Sequence, residues 1–266
     1  MSTQEGGPQL NNKNVLFYFD AANPKSYDRY SSNGYSMVLG TTASLLTGVT
    51  WSSINNGVMV FNGTYSLGLF TYSIDSWITC GDRISKLAPT FPLTLEAWIN
   101  PTVTGITTVA GFGIFTLDSI EQYPGSYYGL SFVLGASNGS DTNSFEVLYG
   151  NGVDAGSSGR RSSVTDTRPV ISGVWNHVVG VVSALDTFSI YVNGVLIPST
   201  NNGGNTTGIF WSNGVGKTTI GKGPGFYKYI FDGKIAMVRA YNSALTANDV
   251  KLNYNLHATR FNLPKK

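Results

Sequence analysis

The carboxylates of this chain are not spaced along any one strand so that two of them could act as a catalytic pair. Its 266 residues include four glutamates, at positions 5, 96, 121 and 146, and eleven aspartates. A glycosidase needs two carboxyl groups about 5 to 10 Å apart across one bond. On a single strand this distance requires a spacing of two or four residues, and no such pair occurs. We therefore predict no catalytic residues, although carboxylates from different strands would satisfy the same geometry.

Two short motifs resemble catalytic or phosphate-binding loops but lack the elements that such loops need. Residues 135–139 (GASNG) match the nucleophile-elbow pattern G-x-S-x-G, in which a strand hands the serine to the start of a helix. No helical periodicity follows Gly139, so we interpret the run as an Asn-Gly turn. Residues 216–218 (GKT) lack the leading glycine of a phosphate loop, because Trp211 occupies that position.

No cofactor is predicted, and a structural calcium ion is kept as an alternative. His177 and His257 lie in a strand pattern and a helix pattern and are predicted to be structural. No His-x-x-x-His pair or carboxylate cluster indicates a transition metal, and the single cysteine, Cys80, excludes a disulfide framework and a multi-thiolate site. Calcium held by loop carbonyls and by one or two aspartates, at positions 118, 141 or 154, would leave little trace in a sequence.

Aromatic residues in loop-like, Gly-rich stretches are the remaining candidates for ligand contact. A pyranose stacks its apolar face on an aromatic ring, while amides and carboxylates bind its hydroxyl groups. The predicted ligand-binding residues are Tyr123, Tyr127, Tyr128, Trp211, Phe226, Tyr227 and Tyr229. The alternative is that these rings cover sheet edges or form subunit contacts. The stretch 217–239 contains five basic residues, at positions 217, 222, 228, 234 and 239, and one acidic residue, Asp232. This excess of positive charge favours a solvated surface, with an acidic glycan contact as the alternative.

The elements that must position these rings are predicted to be β-strands joined by tight turns. Asn-Gly, which tolerates the positive φ of two-residue hairpins, occurs eight times, at residues 33, 56, 62, 138, 151, 193, 202 and 213. In Leu93–Asn100, apolar side chains alternate with Thr94, Glu96 and Trp98, as in a strand with two distinct faces. Further strands are predicted at Val15–Asp20, Val58–Phe61, Gly129–Leu134, Phe145–Tyr149, Trp175–Val182, Thr218–Gly221 and Ile235–Tyr241.

A single stretch has a helical pattern. Thr246 and Asp249 resemble a capping box, and Val250, Tyr254 and His257 follow at helical spacing. The predicted fold is therefore all-β, a two-sheet antiparallel sandwich with one short C-terminal helix. One domain is expected over residues 14–260, between a polar arm at 1–13 and a short tail at 261–266.

Composition excludes several classes of partner. Charged residues are 12% of the chain and the net charge is +2, so no global field favours nucleic acid. Apolar runs are too short for membrane insertion. The first residues lack a basic start followed by an apolar run, so we predict no secretory signal and synthesis in a cytoplasm.

Short motifs in a fixed order give the sequence a family likeness. They are residues 18–27 (YFDAANPKSY), 60–63 (VFNG), 93–98 (LTLEAW), 175–177 (WNH), 190–194 (IYVNG) and 231–241 (FDGKIAMVRAY). Together with Ala244–Thr246 and the helix, they resemble the laminin-G-like group of the concanavalin A-like jelly rolls. The resemblance implies two stacked, curved antiparallel sheets in a domain that binds carbohydrate or protein. The E-x-D-x-E strand of hydrolase relatives has no match, so the resemblance does not imply catalysis.

The opening motif also resembles a version found in tailed-bacteriophage structural proteins and bacterial surface proteins. We therefore predict a non-catalytic structural or binding subunit of a virus particle, such as a capsid decoration, fibre or tail appendage. Its location would be the virion, and its partners other virion structural proteins in an oligomeric assembly, together with host-surface glycans. The alternative is a soluble bacterial lectin or adhesion module, and a glycoside hydrolase is the weakest hypothesis.

Overall fold

The computed structural model describes residues 14–29, 32–38, 42–45, 48–62, 76–102, 112–119, 127–135, 144–153, 158–167, 169, 171–223 and 230–266. The predicted arm at residues 1–13 lies outside this set. The strands are β1 (Val15–Asp20), β2 (Asn33–Tyr35), β3 (Thr42–Leu45), β4 (Val49–Ser52), β5 (Val58–Phe61), β6 (Ile78–Cys80), β7 (Leu93–Pro101), β8 (Phe112–Ser119), β9 (Leu130–Leu134), β10 (Phe145–Gly150), β11 (Arg160–Thr165), β12 (Asn176–Ala184), β13 (Thr187–Val192), β14 (Val195–Ile197), β15 (Ser199–Gly203), β16 (Lys217–Ile220) and β17 (Gly233–Tyr241). The helices are α1 (Arg83–Leu87) and α2 (Ala247–His257), with 3-10 turns at Ile54–Asn56 and Ala258–Phe261.

These strands form two antiparallel sheets, as the sequence predicts. Sheet 1 has the order β14-β13-β12-β7-β17-β5-β4, and β1 also pairs with β17. Sheet 2 has the order β15-β11-β10-β9-β8-β16-β6-β3-β2. Some neighbours, such as β12 and β13 or β9 and β10, are consecutive in the chain and are joined locally. Others, such as β7 with β17 and β8 with β16, come from distant parts of the chain, so that part of the order depends on long-range packing.

The predicted alternation in β7 is present, and the two faces of this strand pack into different apolar clusters. Its apolar side chains Leu93, Leu95 and Ile99 face the core between the sheets, whereas Trp98 belongs to an apolar cluster on the outer face of sheet 1. The two sheets pack closely where Gly180 of β12 meets Val147 of β10, since a side chain at Gly180 would overlap a methyl group of Val147.

The outer face of sheet 1 is covered by α2 and the 3-10 turn that follows it. The capping box is confirmed: the Thr246 hydroxyl accepts from the Asp249 amide at 3.2 Å, and the Asp249 carboxylate accepts from the Thr246 amide at 2.9 Å. Phe261, predicted as the start of a tail, instead ends the 3-10 turn and stacks on Trp98 with a ring-centroid distance of 4.4 Å. Burial of this ring between Trp98 and Trp175 extends the folded unit beyond the predicted boundary.

Beneath α2 lies a buried polar cluster centred on Glu96. The carboxylate accepts from Arg239 Nη1 at 3.1 Å and from His177 Nε2 at 2.9 Å. It also accepts from the Tyr241 hydroxyl at 2.6 Å and from Asn253 Nδ2 at 3.1 Å. Arg239 Nη2 donates in turn to His257 Nε2 at 2.9 Å, which requires that nitrogen to be unprotonated. Both histidines therefore occupy structural positions.

His257 should make folding stability depend on pH. Burial and the Arg239 guanidinium lower the pKa of His257 to about 3, against about 6.5 in an unfolded chain. Because the unfolded state then binds more protons below about pH 6.5, the free energy of unfolding should fall as the pH decreases from 7 to 5. Chemical denaturation should show a smaller decrease for His257→Gln, which keeps an acceptor for Arg239. Equal decreases for the two proteins would contradict this role of His257.

Candidate functional site

Four chain segments meet at one end of sheet 2. The Gly129 amide, just before β9, donates to the Phe210 carbonyl at 2.8 Å, and the Phe210 amide donates to the Gly150 carbonyl at 2.9 Å. Gly150 ends β10 and pairs with Arg160, the first residue of β11. This network places Tyr127, Tyr128, Arg160 and Phe210 at the same end of the sheet, and we call these four residues the aromatic rim.

Glycines allow the two tyrosines to lie against the strand ends. A side chain at Gly150 would overlap the backbone of Tyr127. A Cβ atom at Gly152 would lie 2.5 Å from the Tyr128 ring, and Gly152 has a φ of 73°, a conformation that favours glycine. The absence of side chains at Gly150 and Gly152 therefore allows Tyr127 and Tyr128 to lie where they do.

The rim combines exposed apolar surface with one cation. Phe210 is 60% exposed, which is unusual for a phenylalanine. Tyr127 and Tyr128 are half-buried, and the Arg160 guanidinium carbon lies 5.7 Å from the centre of the Tyr127 ring. The Arg160 carbonyl accepts from the Asn205 amide at 3.2 Å, which holds its backbone in place. Such a surface can stack on a sugar ring and donate hydrogen bonds beside it.

Trp211 and Asp118 lie beneath the rim and not on its surface. Trp211 is 8% exposed, belongs to the hydrophobic core and donates its indole N–H to the Pro89 carbonyl at 3.0 Å. A Cβ atom at Gly129 would lie 3.1 Å from this ring and 2.5 Å from Asp118 Cβ, so both support the rim backbone. The structure thus brings Trp211 to the predicted region, but its burial makes it a support and leaves almost no ring surface for a ligand.

Asp118 is held by a serine. Its two oxygens accept from the Ser212 amide and the Ser212 hydroxyl, both at 2.6 Å. Burial raises the pKa of Asp118, and the hydrogen bonds from Ser212 oppose that shift. Within the described ranges, no group of three or more His, Cys, Asp or Glu side chains is arranged to hold a metal ion. Two of the calcium candidates, at positions 141 and 154, lie outside those ranges, so the calcium hypothesis stays untested.

The other predicted ligand-binding residues, Tyr123, Phe226, Tyr227 and Tyr229, also lie outside the described residues. Two rim residues, Arg160 and Phe210, were not predicted from the sequence. The run 209–211 (IFW), with two large aromatic residues in a Gly- and Asn-rich stretch, was a signal for Phe210. No local signal marked Arg160, because it joins the rim through the pairing of β10 with β11.

Of the five basic residues predicted to share a surface at 217–239, Lys228 lies outside the described residues, and three of the other four are paired or buried. Lys217 pairs with Asp82 at 3.2 Å, and Arg239 is buried against Glu96. Lys222 is buried with its ammonium group 4.2 Å from the centre of the Trp77 ring. Alternate residues of a strand face opposite sides of a sheet, and this divides the run between different environments.

Three polar side chains on the outer face of sheet 2 are buried. Ser131, Glu146 and Ser162, on three adjacent strands, are each 1% exposed or less. Glu96 is equally buried on the other sheet. Of the glutamates at positions 96, 121 and 146, only Glu121 lies outside the described part of the chain.

The fold is an antiparallel two-sheet sandwich, with the aromatic rim at one end of sheet 2. A laminin G-type family described as the concanavalin A-like lectin/glucanases superfamily matches residues 73–251. The chain belongs to this superfamily, which confirms the fold and the family likeness read from the sequence. No curated protein matches the sequence.

Several solved structures are similar in fold. Domain 4 of an extracellular arabinanase from Geobacillus stearothermophilus, solved with arabinotriose, has a TM-score of 0.57 at 16% identity, covering 91% of this chain and 99% of that one. The botulinum neurotoxin DC binding domain with SialylT has a TM-score of 0.61 at 12% identity, covering 94% of this chain and 52% of that one. A structure of botulinum neurotoxin type C, whose cell entry depends on interaction with two ganglioside molecules, has a TM-score of 0.61 at 12% identity, covering 92% of this chain and 51% of that one. This chain spans about half the length of the toxin chains, and at such identities the likeness concerns the fold.

Among the described helices, none is long and apolar enough to cross a membrane.

Proposed function

We propose that this protein is a non-catalytic glycan-binding module whose binding surface is the aromatic rim. The observation that carries the proposal is the exposed Phe210 ring beside two half-buried tyrosines and the Arg160 guanidinium. Aromatic faces offer a sugar a large apolar contact, and a few fixed polar groups supply orientation. All four residues are attached to strand ends or bonded to them, so little ordering is needed on binding.

The similar structures support this proposal. The arabinanase domain was solved with arabinotriose and matches this chain over nearly its whole length. The botulinum neurotoxin DC binding domain was solved in complex with SialylT, and cell entry of botulinum neurotoxin type C depends on interaction with two ganglioside molecules. Those ligands are the ligands of the similar proteins. The class of glycan that this chain binds has to be inferred from the residues of its own aromatic rim.

The described glutamates support a non-catalytic role. A general acid must carry a proton near neutral pH and reach the glycosidic oxygen. Burial alone would raise the pKa of Glu96, but Arg239 and the hydrogen bond from His177 outweigh it and hold that pKa well below the usual range. Glu96 is therefore ionised and enclosed, and Glu146 is fully buried on the other sheet.

A glycan array tests the proposal. The full chain should bind at least one class of glycan on an array of neutral and acidic oligosaccharides, and incubation with those that bind should release no shorter products. The absence of binding across the array would contradict the proposed function. Product release that is abolished by Glu121→Gln, Glu146→Gln or Glu96→Gln would overturn its non-catalytic part.

We further propose, on the resemblance of residues 20–27 alone, that the module is carried on a virus particle with other structural subunits. This location is independent of the rim. Detection of the chain in purified particles by mass spectrometry would support it, and its recovery only as a free protein from infected cells would contradict it.

A further inference from the structure

We propose that the rim selects acidic glycans, with Arg160 binding a carboxylate or sulfate group of the sugar. The proposal rests on the glycan-binding function proposed above and names the class of its ligand. It is carried by the position and the charge balance of two adjacent arginines at the start of β11.

Arg161 is already neutralised. Its Nη1 forms an ion pair with Asp186, and its Nε donates to the Asn205 carbonyl at 2.8 Å. Because successive side chains of a strand point to opposite faces, Arg160 is directed away from this pair. No carboxylate of the described residues forms an ion pair with Arg160. The rim therefore holds a cation whose charge the described part of the chain does not balance.

The contact with Tyr127 orients Arg160 without using its hydrogen-bond donors. A guanidinium group stacked over a ring keeps its N–H groups at its edge, where a planar anion binds through two parallel hydrogen bonds. The guanidinium carbon lies 5.7 Å from the centre of the Tyr127 ring. A sugar stacked on the neighbouring rings can thus place an acidic substituent against Arg160, and this charge-assisted pairing is stronger than a neutral hydrogen bond.

Acidic substituents in this position have two common sources, sialic or uronic acids and sulfate esters. A bidentate guanidinium interaction is available to both, because each presents two or more oxygens in one plane. Asp118, which lies beneath the rim, is buried and hydrogen-bonded to Ser212, and it forms no ion pair with Arg160.

Sugars compared with and without an acidic group test the inference. Titration calorimetry on the full chain should compare lactose, 3′-sialyllactose and 3′-sulfated lactose, and trigalacturonate with its methyl ester. At least one acidic member should bind about tenfold or more tightly than its neutral partner, as expected for one charge-assisted contact. The sialylated, sulfated and uronic arms identify the source of the anion.

Arg160→Gln should lower the affinity for the preferred acidic sugar to that of its neutral partner, and Arg160→Lys should restore part of it. Arg29→Gln is the matched control, since Arg29 is an exposed arginine over another ring, Trp51 of sheet 1, at 5.0 Å. It should change nothing, and equal melting temperatures show that all variants are folded.

The outcomes separate the two proposals. Equal affinity for charged and neutral partners, or an acidic preference that survives Arg160→Gln, would overturn the role of Arg160 and leave glycan binding intact. Binding of neutral glycans alone on the array would also overturn the role of Arg160 and leave the proposed glycan binding intact. Failure of every glycan on the array would overturn the proposed function and this inference with it.

Discussion

Replacing Glu96 by glutamine should lower the free energy of unfolding at pH 7 by about 3 to 5 kcal/mol, the cost of breaking one side of a buried ion pair. The substitution keeps the volume of the side chain but removes the anion. Arg239, 1% exposed, would then lie in the interior without its counter-charge, and Tyr241 and Asn253 would lose a charged acceptor. Chemical denaturation measures the loss directly.

Asp82→Asn is the matched control for this prediction. Asp82 also contacts two cations, Lys86 and Lys217, but all three side chains are substantially exposed, so its loss should cost less than about 1 kcal/mol. Removing both charges of the buried pair, in Glu96→Leu with Arg239→Met, should restore part of the stability lost in Glu96→Gln. A cost for Glu96→Gln as small as that for Asp82→Asn would show that the cluster does not stabilise the sandwich.

The same substitution should change the acid limb of the stability curve. The pKa of Glu96 is held well below its usual value of about 4.3. Its contribution is therefore fully present above about pH 5 and is lost as the pH falls through the carboxylate range. The difference between the native protein and Glu96→Gln should accordingly shrink between pH 5 and pH 3.

The second large effect concerns the rim. Phe210→Ala should weaken glycan binding by about 30-fold, since truncating a central aromatic anchor typically costs about 2 kcal/mol. Combined with Tyr128→Ala, the substitution should abolish measurable binding. The melting temperature should stay nearly unchanged for Phe210→Ala, because the ring is 60% exposed and its loss opens no cavity.

Tyr35→Ala provides the control for general loss of aromatic surface. Tyr35 is 48% exposed on β2, at the far edge of the order of sheet 2 from β15 and β11. Its truncation should leave glycan affinity unchanged. Similar losses for Phe210→Ala and Tyr35→Ala would mean that the rim is not the binding surface.

Features fixed by local sequence were predictable. The alternation in β7, the capping box of α2 and the Asn193–Gly194 turn between β13 and β14 each follow from a few adjacent residues. In that turn φ is 49° at Asn193 and 76° at Gly194, the two positive values that a type I′ hairpin needs.

Tertiary packing overrode other local signals. Asn33–Gly34 has the same dipeptide, yet it lies within β2, where Gly34 permits close approach of the Phe19 ring at 2.8 Å from the position of a Cβ atom. Phe261 follows a helix in a polar stretch, and only the position of Trp98 on the outer face of sheet 1 explains its burial. Neither partner can be identified from sequence spacing, because each lies far away along the chain.

In the candidate site, too, some residues were predictable from local sequence and others were placed by tertiary packing. Tyr127 and Tyr128 were recognised from residue type and from the glycines around them. Arg160 and Phe210 join them only through the pairing of β10 with β11 and through two backbone hydrogen bonds of Phe210. Trp211 has the composition of a ligand contact, but its hydrogen bond to Pro89 turns the ring into the core.

Hydrogen–deuterium exchange with and without a bound oligosaccharide from the array would test the central proposal most directly, because it locates the contact surface in the intact chain. Saturating sugar should slow amide exchange in peptides covering residues 127–130, 150–153 and 205–212, where the rim backbone lies. Peptides from α2 and the 3-10 turn, residues 247–261, should exchange at unchanged rates. Protection confined to sheet 1 or α2, with the rim peptides unaffected, would contradict a glycan site at the aromatic rim.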